Sequence, residues 1–286
     1  ISELGLWGLY HRVQRIDFSH DGTLMAAGMY RPLEFPKGLV YLWSTQTGSA
    51  PELIEAHNGG IDGLDFSNDG SYLAWGSWHG LVALFDLQTS TVVLRPSDND
   101  VSVNALAFSP DSARLVWGKS GGYAEGRNLG FGANEIVVDG LGDVQGIAFS
   151  PDNRYMAVGS TNGKIVLQDI DSGVTEEISF GEKIRGIAFS PTGDRLAVTG
   201  FGGGIVVMDL ETRNKIFETT LGEKVWDVVF SIDGNMIITA DSYGDVKFWS
   251  LNAGHEVRSI RLTSVATSLA LTANGTILAT GDWDGL

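Results

Sequence analysis

The chain has no cysteine, which excludes disulfides, thiolate nucleophiles and cysteine-bound metals together. That absence leaves the compartment open, because a chain without disulfides is viable in reducing and oxidising surroundings alike. Positive charge is also scarce. Nineteen lysines and arginines against 35 aspartates and glutamates give a formal net charge of −16, so gripping nucleic acid through its phosphates is not expected. No apolar run approaches the roughly 20 residues a helix needs to cross a bilayer, so no membrane contact is expected. No segment sustains a 3.6-residue apolar period, so helix is expected to be nearly absent. The sequence opens at Ile1 with neither a charged leader nor an apolar stretch behind it. The expectation is therefore a cytoplasmic protein whose natural N-terminus lies further upstream.

Catalytic signatures are missing too. The sequence contains no Gly-x-Ser-x-Gly elbow, no His-Glu-x-x-His and no phosphate loop with its lysine. Gly202-Gly203-Gly204 reads as a turn, since no helix follows it. The five histidines are His11, His20, His57, His79 and His255, without metal-ligand spacing. No cofactor and no enzymatic activity are expected.

What is abundant is glycine, 38 residues placed singly or in pairs between apolar runs, the mark of many tight turns. One phrase recurs with them: an apolar residue, two variable positions, an apolar residue, a small or acidic one, then Phe-Ser-x-Asp-Gly. It reads VQRIDFSHDG, IDGLDFSNDG, VNALAFSPDS, VQGIAFSPDN, IRGIAFSPTG and VWDVVFSIDG, with a degenerate ATSLALTANG last. The anchors are Phe18, Phe66, Phe108, Phe149, Phe189, Phe230 and Leu271, spaced by 48, 42, 41, 40, 41 and 41 residues. Each unit splits into four short runs rich in β-branched and aromatic residues, separated by Gly/Asp/Asn turns, as in VWDVVF, NMIITA, VKFWSL and HEVRSIRL. A repeat of about 40 residues with four strands is the period of a propeller blade. One such sheet cannot bury both faces alone, whereas seven packed around an axis bury them against each other.

In these residues the chain resembles the WD40-repeat family, over almost its whole length. The family's Trp-Asp dipeptide slot reads Trp43-Ser44, Phe85-Asp86, Gln168-Asp169, Met208-Asp209 and Trp249-Ser250, and of the Gly-His pair only Ala56-His57 lies near. The family's polar tetrad is therefore expected to be incomplete, with apolar packing between blades in its place. Blade three is the least regular, with YAEGRNLGF as its third strand. The expected fold is all-β: a seven-bladed propeller with four antiparallel strands per blade, the last blade incomplete and closed by the N-terminal segment around Trp7. The whole of 1–286 is expected to be one domain, with blades at approximately 13–57, 61–100, 103–140, 144–181, 184–222, 225–263 and 266–286 plus 1–9. It is expected to be a fragment of a longer chain that supplies the missing strand after Leu286.

The family's blade order puts the Asp-Gly turns on one face, which makes Asp21, Asp69, Asp111, Asp152 and Asp233 turn residues. The opposite face carries the loops between second and third strands, with Tyr30, Trp78, Phe201, Tyr243 and Trp283. Trp226 stands near the start of a first strand, where the other units have Gln14, Asp62, Asn104, Gln145, Arg185 and Thr267. Trp43, Trp75, Trp117 and Trp249 lie within strands and are expected in the core. Aromatics interspersed with Arg15, Lys119, Arg185, Asp227 and Asp241 have the composition of an interaction surface. Each loop aromatic has a structural alternative, filling the groove between neighbouring blades. Tyr30, Trp78, Arg185, Phe201, Trp226, Tyr243 and Trp283 are the expected partner-binding residues. Unit one is longer by about seven residues, placed in one loop, Met29–Gly38, where Leu33 and Phe35 either fold back onto the ring or meet a partner.

The resemblance thus implies a scaffold or adaptor that binds a protein or peptide, as a module of a larger chain or complex, with a basic or mixed surface favoured on the partner. Two alternatives remain open. One is a propeller enzyme with a metal or cofactor at its central channel, for which His11, His57 and His79 fall on the right face. The other is a purely structural subunit of a large complex.

Overall fold

The computed structural model describes residues 11–32, 37–47, 50–94, 101–130 and 133–285. Among these there is no helix; the chain runs through 26 strands. They form six four-stranded antiparallel sheets and one two-stranded sheet, and in each the chain steps from one strand to its neighbour. Blade six is representative: Val225–Phe230, Met236–Asp241, Asp245–Ser250 and His255–Arg261. The first strands are Arg12–Phe18, Ile61–Phe66, Val103–Phe108, Val144–Phe149, Ile184–Phe189, Val225–Phe230 and, in the two-stranded sheet, Ala266–Leu271. Each touches the next, and Ala266–Leu271 touches Arg12–Phe18, so the sheets close into a ring. This is an all-β propeller of six complete blades and a partial seventh sheet. Closure of that sheet by 1–9 lies outside the described residues, as do Trp7, Leu33 and Phe35.

The core sits between blades, as binary patterning requires of a sheet buried on both faces. One cluster joins blades one and two through Val40, Ile61, Trp75 and Phe85, and another joins five and six through Ile205, Val225, Phe230 and Trp249. The seam between the partial sheet and blade one is built the same way, with Ala270 and Ala279 against Val13 and Phe18. Two hydrogen bonds reinforce it: the Thr267 hydroxyl donates to the Val13 carbonyl at 2.7 Å, and the Ile16 N–H donates to Ser268 Oγ at 3.2 Å. Trp43, Trp75, Trp117 and Trp249 are all buried. In the Trp-Asp slot, Asp86, Asp169 and Asp209 accept backbone N–H groups of the turns that follow them.

Two expectations about local structure change. The extra length of unit one is not all loop: its hairpin lengthens to Leu24–Arg31 and Lys37–Ser44, paired through Arg31 and Lys37. The third strand of blade three is shorter than YAEGRNLGF, running only from Ala124 to Asn128.

The Ser-x-Asp-Gly turns are nearly identical around the ring. In blade four, Ser150 Oγ donates to Asp152 Oδ1 at 2.5 Å and accepts the Tyr155 N–H at 2.8 Å, closing the first hairpin. In the degenerate seventh copy Thr272 and Asn274 make the same two bonds, at 2.8 and 3.1 Å. These bonds hold the turn carboxylates ionised. The Ser231 hydroxyl, with Asn235 behind it, holds Asp233 down to about 2, and the Ser109 hydroxyl lowers Asp111.

Candidate interaction face

The opposite face is built on a second repeated device. In all seven sheets the pairing of first and second strands slips by one residue near the start of the first strand. The extra residue of each bulge is Gln14, Asp62, Asn104, Gln145, Arg185, Trp226 or Thr267. A bulge leaves one residue out of the ladder and re-aims its side chain. These seven residues therefore share one place in the fold, at the mouth of the axial channel. Behind each bulge a backbone bond ties the inter-strand loop to the segment entering the same blade, as from Phe201 N to Lys183 O at 2.9 Å and from Trp283 N to Val265 O at 3.2 Å.

Neighbouring bulges meet. Arg185 Nη1 donates to Gln145 Oε1 at 2.8 Å, and on its other side the guanidinium lies 5.2 Å from the Trp226 ring centroid. Trp226 packs edge-on against Phe201 at 5.7 Å and Trp283 at 6.1 Å. Lys224 Nζ lies 5.2 Å from the Phe201 centroid and 5.8 Å from that of Trp226. Arg12 covers Trp283 at 4.7 Å. Arg12 is also the cross-strand partner of Tyr30, whose ring stacks on Trp78 at 4.5 Å. Of the expected residues, Arg185, Phe201, Trp226 and Trp283 thus form one cluster over blades five, six and the partial sheet. Tyr30 and Trp78 form a second pair over blades one and two. Tyr243 stands apart, 61% exposed, with Arg261 6.0 Å from its ring.

The charged companions sort differently from expectation. Lys119 is 1% exposed and paired with Glu125 at 3.0 Å, and Glu125 also accepts the Trp117 indole N–H. Asp241 is fully buried and paired with Lys247 at 2.9 Å. Neither belongs to the surface; both neutralise charge between strands, where an unpaired ion would be costly. Arg15 and Asp227 do face the channel, with Arg185 and Gln145, around a cavity of about 90 Å³. Burial first, then the Arg15 guanidinium, hold Arg185 down to about 10, while burial raises Asp227. Arg12 and Lys224 were missed by sequence reasoning, although each stands within two residues of a blade's first bulge.

Further down the channel, carboxylates stitch first strand to first strand. Asp17 accepts the Phe66 N–H at 2.8 Å, Asp65 accepts that of Phe108 at 2.6 Å, and Asp227 that of Leu269 at 2.8 Å. The acidic variant of the repeat's small position is therefore a blade-to-blade link. Burial pushes Asp17 up to about 6, and Asp65 is raised by burial and by the charge of Asp17 beside it. Of the three histidines proposed for a metal, His11 is buried, His79 is exposed, and the His57 side chain lies outside the described ones. No group of three or more metal-ligating side chains gathers among the described residues.

A ring of antiparallel blades with side chains turned to its mouth defines a β-propeller. The model of the WD domain, G-beta repeat, matches residues 50–86, 138–169 and 214–250, and these are WD40 repeats. Each match starts at the fourth strand of one sheet and ends with the third strand of the next, so the repeat unit itself bridges two blades. The chain is 26% identical over 163 residues, 57% of its length, to Periodic tryptophan protein 2 homolog of Schizosaccharomyces pombe, and the match spans 14% of that protein. A chain in the crystal structure of a mitotic checkpoint complex has the same fold. The TM-score is 0.86 over 99% of this chain and 90% of that one, at 19% identity.

Proposed function

We propose that this chain is an interaction scaffold, a seven-bladed WD40 propeller whose bulge face seats a protein or peptide partner and which performs no catalysis. In this reading 1–286 is one domain, and the segment 1–9 completes blade seven. The observation that carries it is Trp226. Six bulges hold polar or charged residues, and the seventh holds a half-buried tryptophan wedged between Phe201 and Trp283. Side chains that only fill a groove would repeat with the blades, as the core tryptophans and the turn serines do. Rigid aromatics beside arginine are instead the groups that dominate binding energy at protein interfaces.

Further support comes from the relatives: the fold is shared with a chain of a mitotic checkpoint complex, which by its description is a multi-component assembly. The test is proximity labelling and cross-linking of the wild-type chain against Trp226→Thr/Trp283→Ala and, as a control on the opposite face, Asn68→Ala. A partner set lost with the double variant and kept with the control supports the scaffold. Stoichiometric metal in the purified protein, with turnover lost on removing it, would replace the scaffold with an enzyme.

A further inference from the structure

Although the molecule carries a net charge of −16, the cluster around Trp226 is cationic. Lys224 and Arg12 are exposed, and among the described residues neither has a carboxylate within ion-pair distance; each rests on aromatic rings. The acidic residues nearby are engaged elsewhere. Glu182 Oε1 accepts the Gly204 N–H at 2.7 Å, Glu223 faces Lys247 at 3.9 Å, and both oxygens of Asp227 accept backbone N–H groups.

Beneath this rim the hydrogen-bond account does not balance. Arg185 is 7% exposed, its Nη1 is used by Gln145, and its Nε–H has no acceptor; the Trp226 indole N–H has none either. Asp62 Oδ1 is the one orphaned oxygen among the bulge residues, and it offers its charge to Arg185 without a hydrogen bond. Buried donors without acceptors are rare in folded proteins and mark places where a group is to be received. Two adjacent orphaned donors call for an acceptor-rich ligand, and the cavity of about 90 Å³ beside Arg15 and Arg185 has room for a group the size of two or three water molecules at roughly 30 Å³ each. A carboxylate has this size and charge, and an ammonium has neither the acceptors nor the sign.

Resting on the scaffold reading, we infer that the partner segment is acidic: an aspartate or glutamate side chain enters the channel mouth onto Arg185 and the Trp226 N–H, and an apolar neighbour packs on Phe201 and Trp283 between Lys224 and Arg12. This reverses the expectation from net charge alone, since the local field at the mouth, not the molecular total, meets the ligand.

The experiment titrates the full chain into two fluorescein-labelled peptides of equal length, one of Glu and Asp around a single Leu, the other with Lys and Arg in their places. Anisotropy reports binding and tryptophan emission reports its location. The acidic peptide is expected to bind at least ten-fold tighter than its charge-reversed twin, to shift tryptophan emission, and to weaken as salt rises. Lys224→Glu, on an exposed side chain that leaves folding intact, should weaken it at least ten-fold, and Arg185→Gln should do the same with unchanged thermal unfolding. Equal or tighter binding of the basic peptide, no binding of the acidic one, or indifference to Lys224→Glu overturns the inference. Ten-fold preference for the same peptide carrying phosphoserine in place of Glu, or for single-stranded DNA, overturns it in favour of a phosphate ligand. If partner capture depends on Trp226 while the acidic peptide fails, only this inference falls; if capture ignores Trp226, the scaffold reading falls with it.

Discussion

On one face of the ring, seven hairpin turns repeat a single hydrogen-bond pattern with almost the same residues. On the other, seven bulges repeat a backbone and change the side chain nearly every time. The turn face is self-sufficient: the hydroxyl that accepts the hairpin N–H also donates, to a side chain within the same turn. The bulge face leaves Arg185 Nε, Trp226 Nε1 and Asp62 Oδ1 unsatisfied. Where the same geometry is kept and its chemistry is uniform, the residues serve the fold. Where the geometry is kept and the chemistry varies, they are free to serve something else.

The largest expected effect separates the glycines of the two faces. Gly203, in an inter-strand loop of the bulge face, has φ +91°, and a Cβ there would run into the carbonyl oxygens of Leu221 and Glu223. Gly203→Ala is expected to cost more than about 3 kcal/mol in urea unfolding, since strain and collision add. Gly70, in a turn on the other face, has φ +72° with nothing within 4 Å of the added atom; Gly70→Ala should cost about 1 kcal/mol. Equal losses would show that the two faces are built to the same tolerance.

Protonation should divide the molecule next. Asp233 in its turn is held down to about 2, so its bonds stabilise the fold above the unfolded value near 4 and are lost as pH falls through about 2. Asp17 behaves oppositely. It is raised from 3.8 to about 6, so its contribution is full below pH 3.8 and is lost as pH rises through about 6. Asp17→Asn keeps an acceptor for Phe66 and can donate to Asp65. It should stabilise the ring by about 1–2 kcal/mol at pH 7 and flatten the stability profile between pH 4 and 6. A variant less stable than wild type at pH 7 would contradict the pairing of Asp17 with Asp65.

A smaller effect tests the turn face alone. Ser150→Ala removes one bond to Asp152 and leaves the Tyr155 N–H without its acceptor. The expected loss is about 1–2 kcal/mol, with partner binding unchanged. The smallest stability effect should come from the residue with the largest functional one. Trp226→Thr installs the residue that the partial sheet carries at its own bulge. It should cost about 1 kcal/mol or less in stability, for two lost ring contacts, while partner binding falls at least ten-fold. A stability loss above that of Ser150→Ala, with binding retained, would move Trp226 to the side of the fold.

Much of this architecture was legible in advance because its signals are local and repeated. A Phe-Ser-x-Asp-Gly turn specifies its own hydrogen bonds within five residues, and repetition at about 41 residues shows how often the sheet is used. Trp226 also announced itself, as the one aromatic among seven aligned positions. What could not be read was who meets whom. Lys119 and Asp241 looked like surface charge, yet their partners Glu125 and Lys247 lie across a hairpin and draw them inward. Tyr243 looked equivalent to Phe201 and Trp283 but joins neither. Lys224 and Arg12 were ordinary cations until the rings beneath them were in place.

The amino-acid sequence by itself determined the unit, its turns and the apolar alternation that makes each sheet need a neighbour. Only the tertiary structure decided that seven bulges face one opening, that residues as distant as Arg12 and Trp283 touch there, and that two N–H donors at that opening lack acceptors. The physical reason is range. Turn chemistry and strand patterning act over a few residues, whereas the field and the unmet hydrogen bonds at the channel mouth exist only once the first and last strands have closed the ring.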